Sequence, residues 1–375
     1  MLYVLRNEPV ISMSRITLMK KALALAAMGK GRTSPNPMVG AIIVKNSKVI
    51  AADYHRKAGT PHAEIRALKK AGNKARGADL YINLEPCCHT EKRTPPCTKA
   101  IIKSGIKKVV TAMIDPNPRV AGLGLEELHA AGIITETGVM EAEAKRLNEA
   151  FIKYIIKKEP FVILKIAQTL DGKIATARGE SKWITGAKAR EHVHKLRNEV
   201  DAVLVGIGTV NKDDPSLDCR IRGGKNPYRI IVDSRLQIPL NSKALKYNDG
   251  RTIIATTKTA DKRKTGLLKA RGAGILAVKE KAGKVDLKNL IKELGRLEIT
   301  SVMIEGGSTI NASALSDRIV DKVMIFIAPK ILGGIDSIPS VGGKSPALLK
   351  GAFELKNLRT MNFGEDILVE GYTGF

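Results

Sequence analysis

The chain has 375 residues, a length that suits about two domains, and its 43% hydrophobic content is ordinary for globular protein. No apolar run approaches the roughly 20 residues of a membrane helix, so a membrane-spanning protein is not expected. A net charge of +26 favours anionic partners, whether nucleic acid, phosphorylated metabolites or phosphorylated cofactors. Yet the cations are scattered along the whole chain and aromatics make up only 4%, which does not supply the stacking platform of a single-strand binder; a lysine-rich solvated surface is the plainer reading.

Residues 1–13 show no pattern and read as an extension, with Met13 a candidate natural start. Residues 20–28 have the basic start and short apolar core of a secretory signal. Folded-core sequence, residues 35–44, follows at once, so a cytoplasmic protein is expected. Residues 16–28 carry helical spacing (Leu18, Ala22, Leu25, Ala26), and 29–37 form a Gly/Ser/Asn/Pro loop. Residues 39–44 and 48–52 read as paired strands around Lys45-Asn46-Ser47. A helix over 62–71, a strand over 79–84, a helix over 98–104 and a strand over 108–113 follow, and a helix over 141–153 closes this first layered α/β unit. The charged stretch 154–160, ending in proline, marks the boundary, so the domains are expected at 14–157 and 158–375.

The first unit carries one dense cluster of chemistry. Pro61-His62-Ala63-Glu64 is followed by Glu85-Pro86-Cys87-Cys88 and Pro95-Pro96-Cys97. One imidazole and two thiolates can hold zinc and leave one position for water, which then becomes a nucleophile near neutral pH. Glu64, two residues past His62, suits the proton shuttle of a hydrolytic deaminase without being a ligand. Three of the four cysteines crowd this loop, and adjacent cysteines make a poor disulfide framework. Cys88 and His89 remain alternative ligands; Pro86 favours Cys87, and His89 suits a face toward substrate or solvent. His55 and His129 belong to no motif and read as ordinary.

In the second half, strands are expected over 161–167, 202–205, 228–232, 252–255, 301–304, 322–327 and 367–370, with helices over 187–198 and 287–297. Glu305-Gly306-Gly307-Ser308-Thr309 lies between a strand and a helix, where glycines let backbone approach a phosphate. Taken alone this is a tight turn, and it is not the G-x-G-x-x-G fingerprint.

The zinc motif resembles the cytidine and deoxycytidylate deaminase superfamily. There the second cysteine usually follows the first by three residues; here Cys97 comes ten after Cys87. That longer loop, together with Ser34-Pro35-Asn36-Pro37-Met38-Val39-Gly40, is similar to the bifunctional riboflavin biosynthesis deaminase/reductase branch. Lys165-Ile166-Ala167-Gln168-Thr169-Leu170-Asp171-Gly172-Lys173, Ser181-Lys182-Trp183-Ile184-Thr185, Val205-Gly206-Ile207-Gly208-Thr209-Val210, Asp213-Asp214-Pro215-Ser216-Leu217 and the Glu305–Thr309 turn resemble its reductase half.

The resemblance implies an N-terminal cytidine-deaminase-like three-layer domain and a C-terminal dihydrofolate-reductase-like mixed-sheet domain. It implies zinc and NADPH as cofactors and a small phosphorylated pyrimidine as substrate. Asn36 is implied as a substrate contact in the deaminase. Cofactor contacts are implied at Ala167, Trp183, Thr209, Asp213, Ser234 and along Gly307, Ser308, Thr309, Ile310, Asn311, Ala312 and Ser313. Substrate contacts are implied at Ser181, Arg197, Leu217, Arg220 and Glu305. Arginine suits the substrate phosphate because its fork pairs two oxygens. Trp183, the single tryptophan, has core packing as its alternative role, and Arg197 a place on a solvated face. A homo-oligomer is expected, without nucleic acid or membrane partners. A basic nucleic-acid deaminase is the rival reading; it leaves the second set of motifs without a purpose. A purely structural zinc module would not need Glu64.

Overall fold

The computed structural model describes residues 14–89 and 95–374. The chain divides into two compact units, Met1–Ile156 and Lys157–Phe375.

The first unit is built on a five-stranded sheet. Its order is Lys48–Tyr54, Gly40–Lys45, Asp79–Ile82, Lys108–Thr111 and Ile134–Glu136. The first two strands form a hairpin whose turn residues Asn46 and Ser47 both have positive φ, as a two-residue turn matched to strand twist requires. The last three strands run parallel, so their carboxyl ends share one edge, and the chain leaves that edge directly into the cysteine loop. The helix Arg15–Ala27 begins at Ser14, whose hydroxyl accepts from Thr17 N at 3.2 Å, and buries Leu18, Met19, Ala22 and Ala26.

The single helix expected over 141–153 is two, Glu141–Leu147 and Glu149–Lys157. The break is at Asn148. Its buried amide bonds Met38 twice, accepting from N at 2.8 Å and donating to O at 3.0 Å, which ties the helix pair to the loop before the first strand. The helix Leu123–Ala130 and the short strand Ile134–Glu136 were not anticipated.

The second unit holds a nine-stranded mixed sheet. From one edge it runs Gly274–Val278, Thr252–Thr257, Tyr228–Val232, Ala202–Gly206, Ser301–Ile304, Phe161–Thr169 and Lys322–Ala328, all parallel, then Asp366–Thr373 and Leu355–Phe363, antiparallel. Its central strands are apolar on both faces. Ala202, Leu204, Val302 and Ile304 join one core, while Val203, Val205 and Met303 join the other. That is why these strands read as continuous apolar runs in the sequence. Among the described residues, no helix is long and apolar enough to cross a membrane.

Candidate active sites

His62 occupies the position just before the helix Ala63–Ala71, with extended backbone, and Glu64 is the second residue of that helix. Cys97 is the first residue of the helix Cys97–Ser104. Cys87 meets it across the loop: the Cys87 carbonyl accepts from Cys97 N at 2.9 Å and Thr98 N at 3.3 Å. These bonds cap the new helix and hold the two cysteines together whatever the length of chain between them.

The ligand atoms of His62, Cys87 and Cys97 lie within 4.8 Å of one another. His62 Nδ1 is 3.3 Å from Cys97 Sγ and 3.6 Å from Cys87 Sγ. A tetrahedral zinc with its usual bond lengths separates a nitrogen and a sulfur ligand by about 3.6 Å, so these three side chains fit the ion as they stand. Of the loop's other two donors, Cys88 Sγ faces the Arg119 carbonyl at 3.9 Å, and neither it nor His89 is part of the cluster. Residues 90–94, including Arg93, lie outside the described residues.

Glu64 is buried, and its Oε2 has no hydrogen-bond partner. Burial, and then the Cys87 thiolate nearby, push its carboxyl above the usual range. A buried carboxylate with one oxygen unpartnered, beside three metal-type donors, is the arrangement a proton shuttle needs.

His55, read as ordinary from sequence, sits in this site. It is buried, its ring meets His62 edge-on with centroids 5.3 Å apart, and Asn36 Nδ2 lies 3.2 Å from its Nε2. Its Nδ1 faces the Pro61 carbonyl at 3.3 Å. Those partners fit a neutral imidazole that donates from Nδ1 and accepts at Nε2, and burial lowers its pKa in the same sense. The available signal was a histidine at the end of a core strand, seven residues before the motif histidine.

Glu85 was also given no role. Its buried carboxylate accepts from the backbone N–H groups of Asp115, Gly122, Gly124 and Leu125, at 2.9 to 3.2 Å, and so ties the 115–125 segment to the strand end that carries Cys87. Gly124 is required for this contact: a Cβ there would stand 2.2 Å from the Pro86 carbonyl oxygen.

The second unit has a cleft of about 1550 Å3. Every reductase residue singled out from sequence lines it: Ala167, Trp183, Thr209, Asp213, Ser234, the run Gly307 to Ser313, Ser181, Arg197, Leu217, Arg220 and Glu305. Gly307 precedes the helix Ser308–Ser316, so the first N–H groups of that helix open at the cleft wall. Gly306 permits the turn, since a Cβ would lie 1.8 Å from Ile310 Cγ2. Asn311 differs from a simple contact: it is buried and its amide donates to the Ser340 carbonyl at 2.8 Å. Ser234 Oγ accepts from Val285 N at 3.0 Å, and Asp213 accepts from Ser181 Oγ at 3.2 Å.

Trp183 is not core; it is 62% exposed, with the Arg190 guanidinium 4.6 Å from its ring centroid. Arg197 is not on a solvated face. Its Nε and Nη2 grip Glu305 at 2.7 and 3.1 Å, and Nη1 donates to the Asp218 carbonyl at 3.1 Å. Lys165 joins from the strand Phe161–Thr169, 3.3 Å from Glu305. Burial alone would raise the Glu305 carboxyl, but Arg197 and then Lys165 hold it down at about 2. In the sequence Lys165 is one residue of a motif, and a lysine inside an apolar strand is the signal that a buried partner waits for it.

Comparison with known proteins places both units. Residues 13–113 match the cytidine and deoxycytidylate deaminase zinc-binding region, and residues 160–369 match the RibD C-terminal domain. The riboflavin biosynthesis protein RibD of Aquifex aeolicus is 47% identical over 352 residues, 94% of this chain and 96% of that protein. RibD of Actinobacillus pleuropneumoniae is 42% identical over 99% of this chain and 98% of its own length. Among solved structures, Acinetobacter baumannii RibD matches with a TM-score of 0.87 at 36% identity, covering 96% of this chain and 99% of that one. A diaminohydroxyphosphoribosylaminopyrimidine deaminase/5-amino-6-(5-phosphoribosylamino)uracil reductase from Thermotoga maritima matches with a TM-score of 0.84 at 39% identity, covering 96% and 98%. The chain belongs to the RibD family, the bifunctional deaminase/reductases of riboflavin biosynthesis.

Proposed function

We propose that the first unit deaminates 2,5-diamino-6-(5-phosphoribosylamino)pyrimidin-4-one and the second reduces the ribosyl chain of the product, giving 5-amino-6-(5-phosphoribitylamino)uracil. The observation that carries this reading is the pairing, in one chain, of a His/Cys/Cys cluster beside a buried carboxylate with a cleft holding a buried Arg–Glu–Lys group.

In the deaminase, His62, Cys87 and Cys97 hold zinc, which when bound supplies an activated water. Glu64 moves two protons in turn: the first from the attacking water to the ring nitrogen, the second from the hydroxyl of the adduct to the amine, which leaves as ammonia. Asn36, braced by His55, orients the pyrimidine. In the reductase, NADPH supplies the hydride. The first-turn backbone N–H groups of Ser308 to Ile310 would receive its phosphates, with Gly307, Asn311, Ala312 and Ser313 beside them and Ala167, Trp183, Thr209, Asp213 and Ser234 lining the rest of its path. Ser181, Leu217, Arg220 and Glu305 face the substrate. Arg197 spends three N–H donors on Glu305 and Asp218, so it acts chiefly by fixing Glu305, and Arg220 is the better phosphate ligand.

The enzyme works in the cytoplasm on a small molecule, without nucleic acid, and pairs with a second copy of itself. The edge strand Leu355–Phe363, with Leu358 and Met361 exposed, supports that pairing. Purified protein given the deaminated pyrimidine phosphate should oxidise NADPH. No oxidation, together with tight salt-dependent RNA binding, would overturn the reading in favour of a nucleic-acid deaminase.

A further inference from the structure

Arg220 lines the cleft on an exposed side chain, and a flexible arginine loses much of its advantage as a phosphate ligand unless something orients it. Its Nε donates to Asp218 Oδ1 at 3.3 Å, and the hydrogen bonds it makes among the described residues use only that nitrogen. Both terminal nitrogens are thus left for a ligand. Asp218 is nearly buried, and its other oxygen accepts from the Tyr247 hydroxyl at 2.7 Å. Tyr247 is itself held: the guanidinium of the fully buried Arg229 lies 5.1 Å from its ring centroid and the Lys246 ammonium 4.5 Å. The chain leading to Tyr247 braces the same loop a second time, where Ser242 Oγ and Lys243 N both donate to Asp214.

We propose that Tyr247 is a positioning residue for the reductase: through Asp218 it presets the Arg220 guanidinium to receive the substrate phosphate. The proposal rests on the reading of this unit as the reductase with Arg220 as phosphate ligand. An ionised Asp218 can only accept, so tyrosine hydroxyl and arginine must both donate to it, which fixes the direction of the relay. Burial opposes that ionisation, and the Tyr247 hydroxyl and Arg220 charge restore it, leaving Asp218 below the usual carboxylate range.

The test is Tyr247→Phe in the full chain, which keeps the ring and removes only the hydroxyl. The KM for the phosphorylated pyrimidine should rise roughly tenfold with kcat and the KM for NADPH unchanged, the loss expected for one charge-assisted hydrogen bond. Ammonia release by the first unit should be unaffected. Arg220→Ala should cost more, and adding Tyr247→Phe to it should cost nothing further. Inorganic phosphate, followed by phosphorus NMR as a probe of the Arg220-dependent site, should bind more weakly to Tyr247→Phe than to the unaltered protein. A fall in kcat with KM unmoved, additive losses, or a silent phenylalanine variant would overturn the proposal. If the unaltered protein oxidises no NADPH, the reductase reading fails, and the phosphate titration alone then decides the role of Tyr247.

Discussion

Replacing Glu305 by glutamine removes the carboxylate that Arg197 grips at 2.7 and 3.1 Å and Lys165 meets at 3.3 Å. In the folded protein that carboxyl titrates at about 2 against an ordinary value of 4.5. At about 1.4 kcal/mol per pH unit, the difference corresponds to about 3 kcal/mol of stability at neutral pH. The pKa is depressed on folding, so the contribution is fully present above 4.5 and is lost as pH falls toward 2. Between about pH 5.5 and about pH 3.5 the loss from this one group is about 1.4 kcal/mol. The variant also leaves two largely buried cations without their counter-charge, which adds to its deficit at neutral pH. Trp183 is the only tryptophan and belongs to the second unit, so urea unfolding followed by its fluorescence reports on that unit alone. The glutamine variant should start at least about 3 kcal/mol less stable at pH 7, and the gap should narrow by about 1.4 kcal/mol between about pH 5.5 and about pH 3.5. Equal stability at pH 7, or parallel acid slopes, would refute the argument that the Arg–Glu–Lys group supports this wall of the cleft.

Other outcomes follow from the same geometry. Glu64→Gln should lower ammonia release a hundredfold or more while metal analysis still finds zinc on the protein; unchanged turnover would leave zinc a purely structural role. Gly124→Ala places a Cβ 2.2 Å from the Pro86 carbonyl and 3.0 Å from Glu85 Oε1, so the strand end carrying Cys87 must shift. Zinc loss to a chelator should then be faster with NADPH oxidation intact, and an unchanged release rate would count against this coupling. Gly306→Ala drives a methyl to 1.8 Å from Ile310 Cγ2 at the cofactor turn. The KM for NADPH should rise roughly tenfold while the deaminase is untouched; a raised KM for the pyrimidine alone would mean that the turn faces the other ligand.

The central strands and the zinc donors were legible in the sequence because each leaves a local mark. Strands buried on both faces, such as Ala202–Gly206 and Ser301–Ile304, must be apolar throughout, and a metal site needs particular residue types. The edge strand Leu355–Phe363 left no such mark: nearly every position in it is exposed, so no alternation was imposed. The break at Asn148 depends on Met38, more than a hundred residues earlier, and no helical period encodes that. Arg197 was legible as a cleft residue through a resemblance, but its partner set was not, because Glu305 and Asp218 reach it from separate strands and loops. His55 was missed for the same reason, its neighbour His62 being joined to it by folding rather than by a motif.

One chain performs both steps, the second on the product of the first. The direct measurement is ammonia release and NADPH oxidation in the same reaction, with and without a zinc chelator. The diamino substrate should give one ammonia per NADPH, and chelation should abolish both signals. Adding the already deaminated pyrimidine phosphate to the chelated enzyme should then restore NADPH oxidation alone. Oxidation that fails to return, or ammonia release that survives removal of zinc, would contradict this two-step sequence.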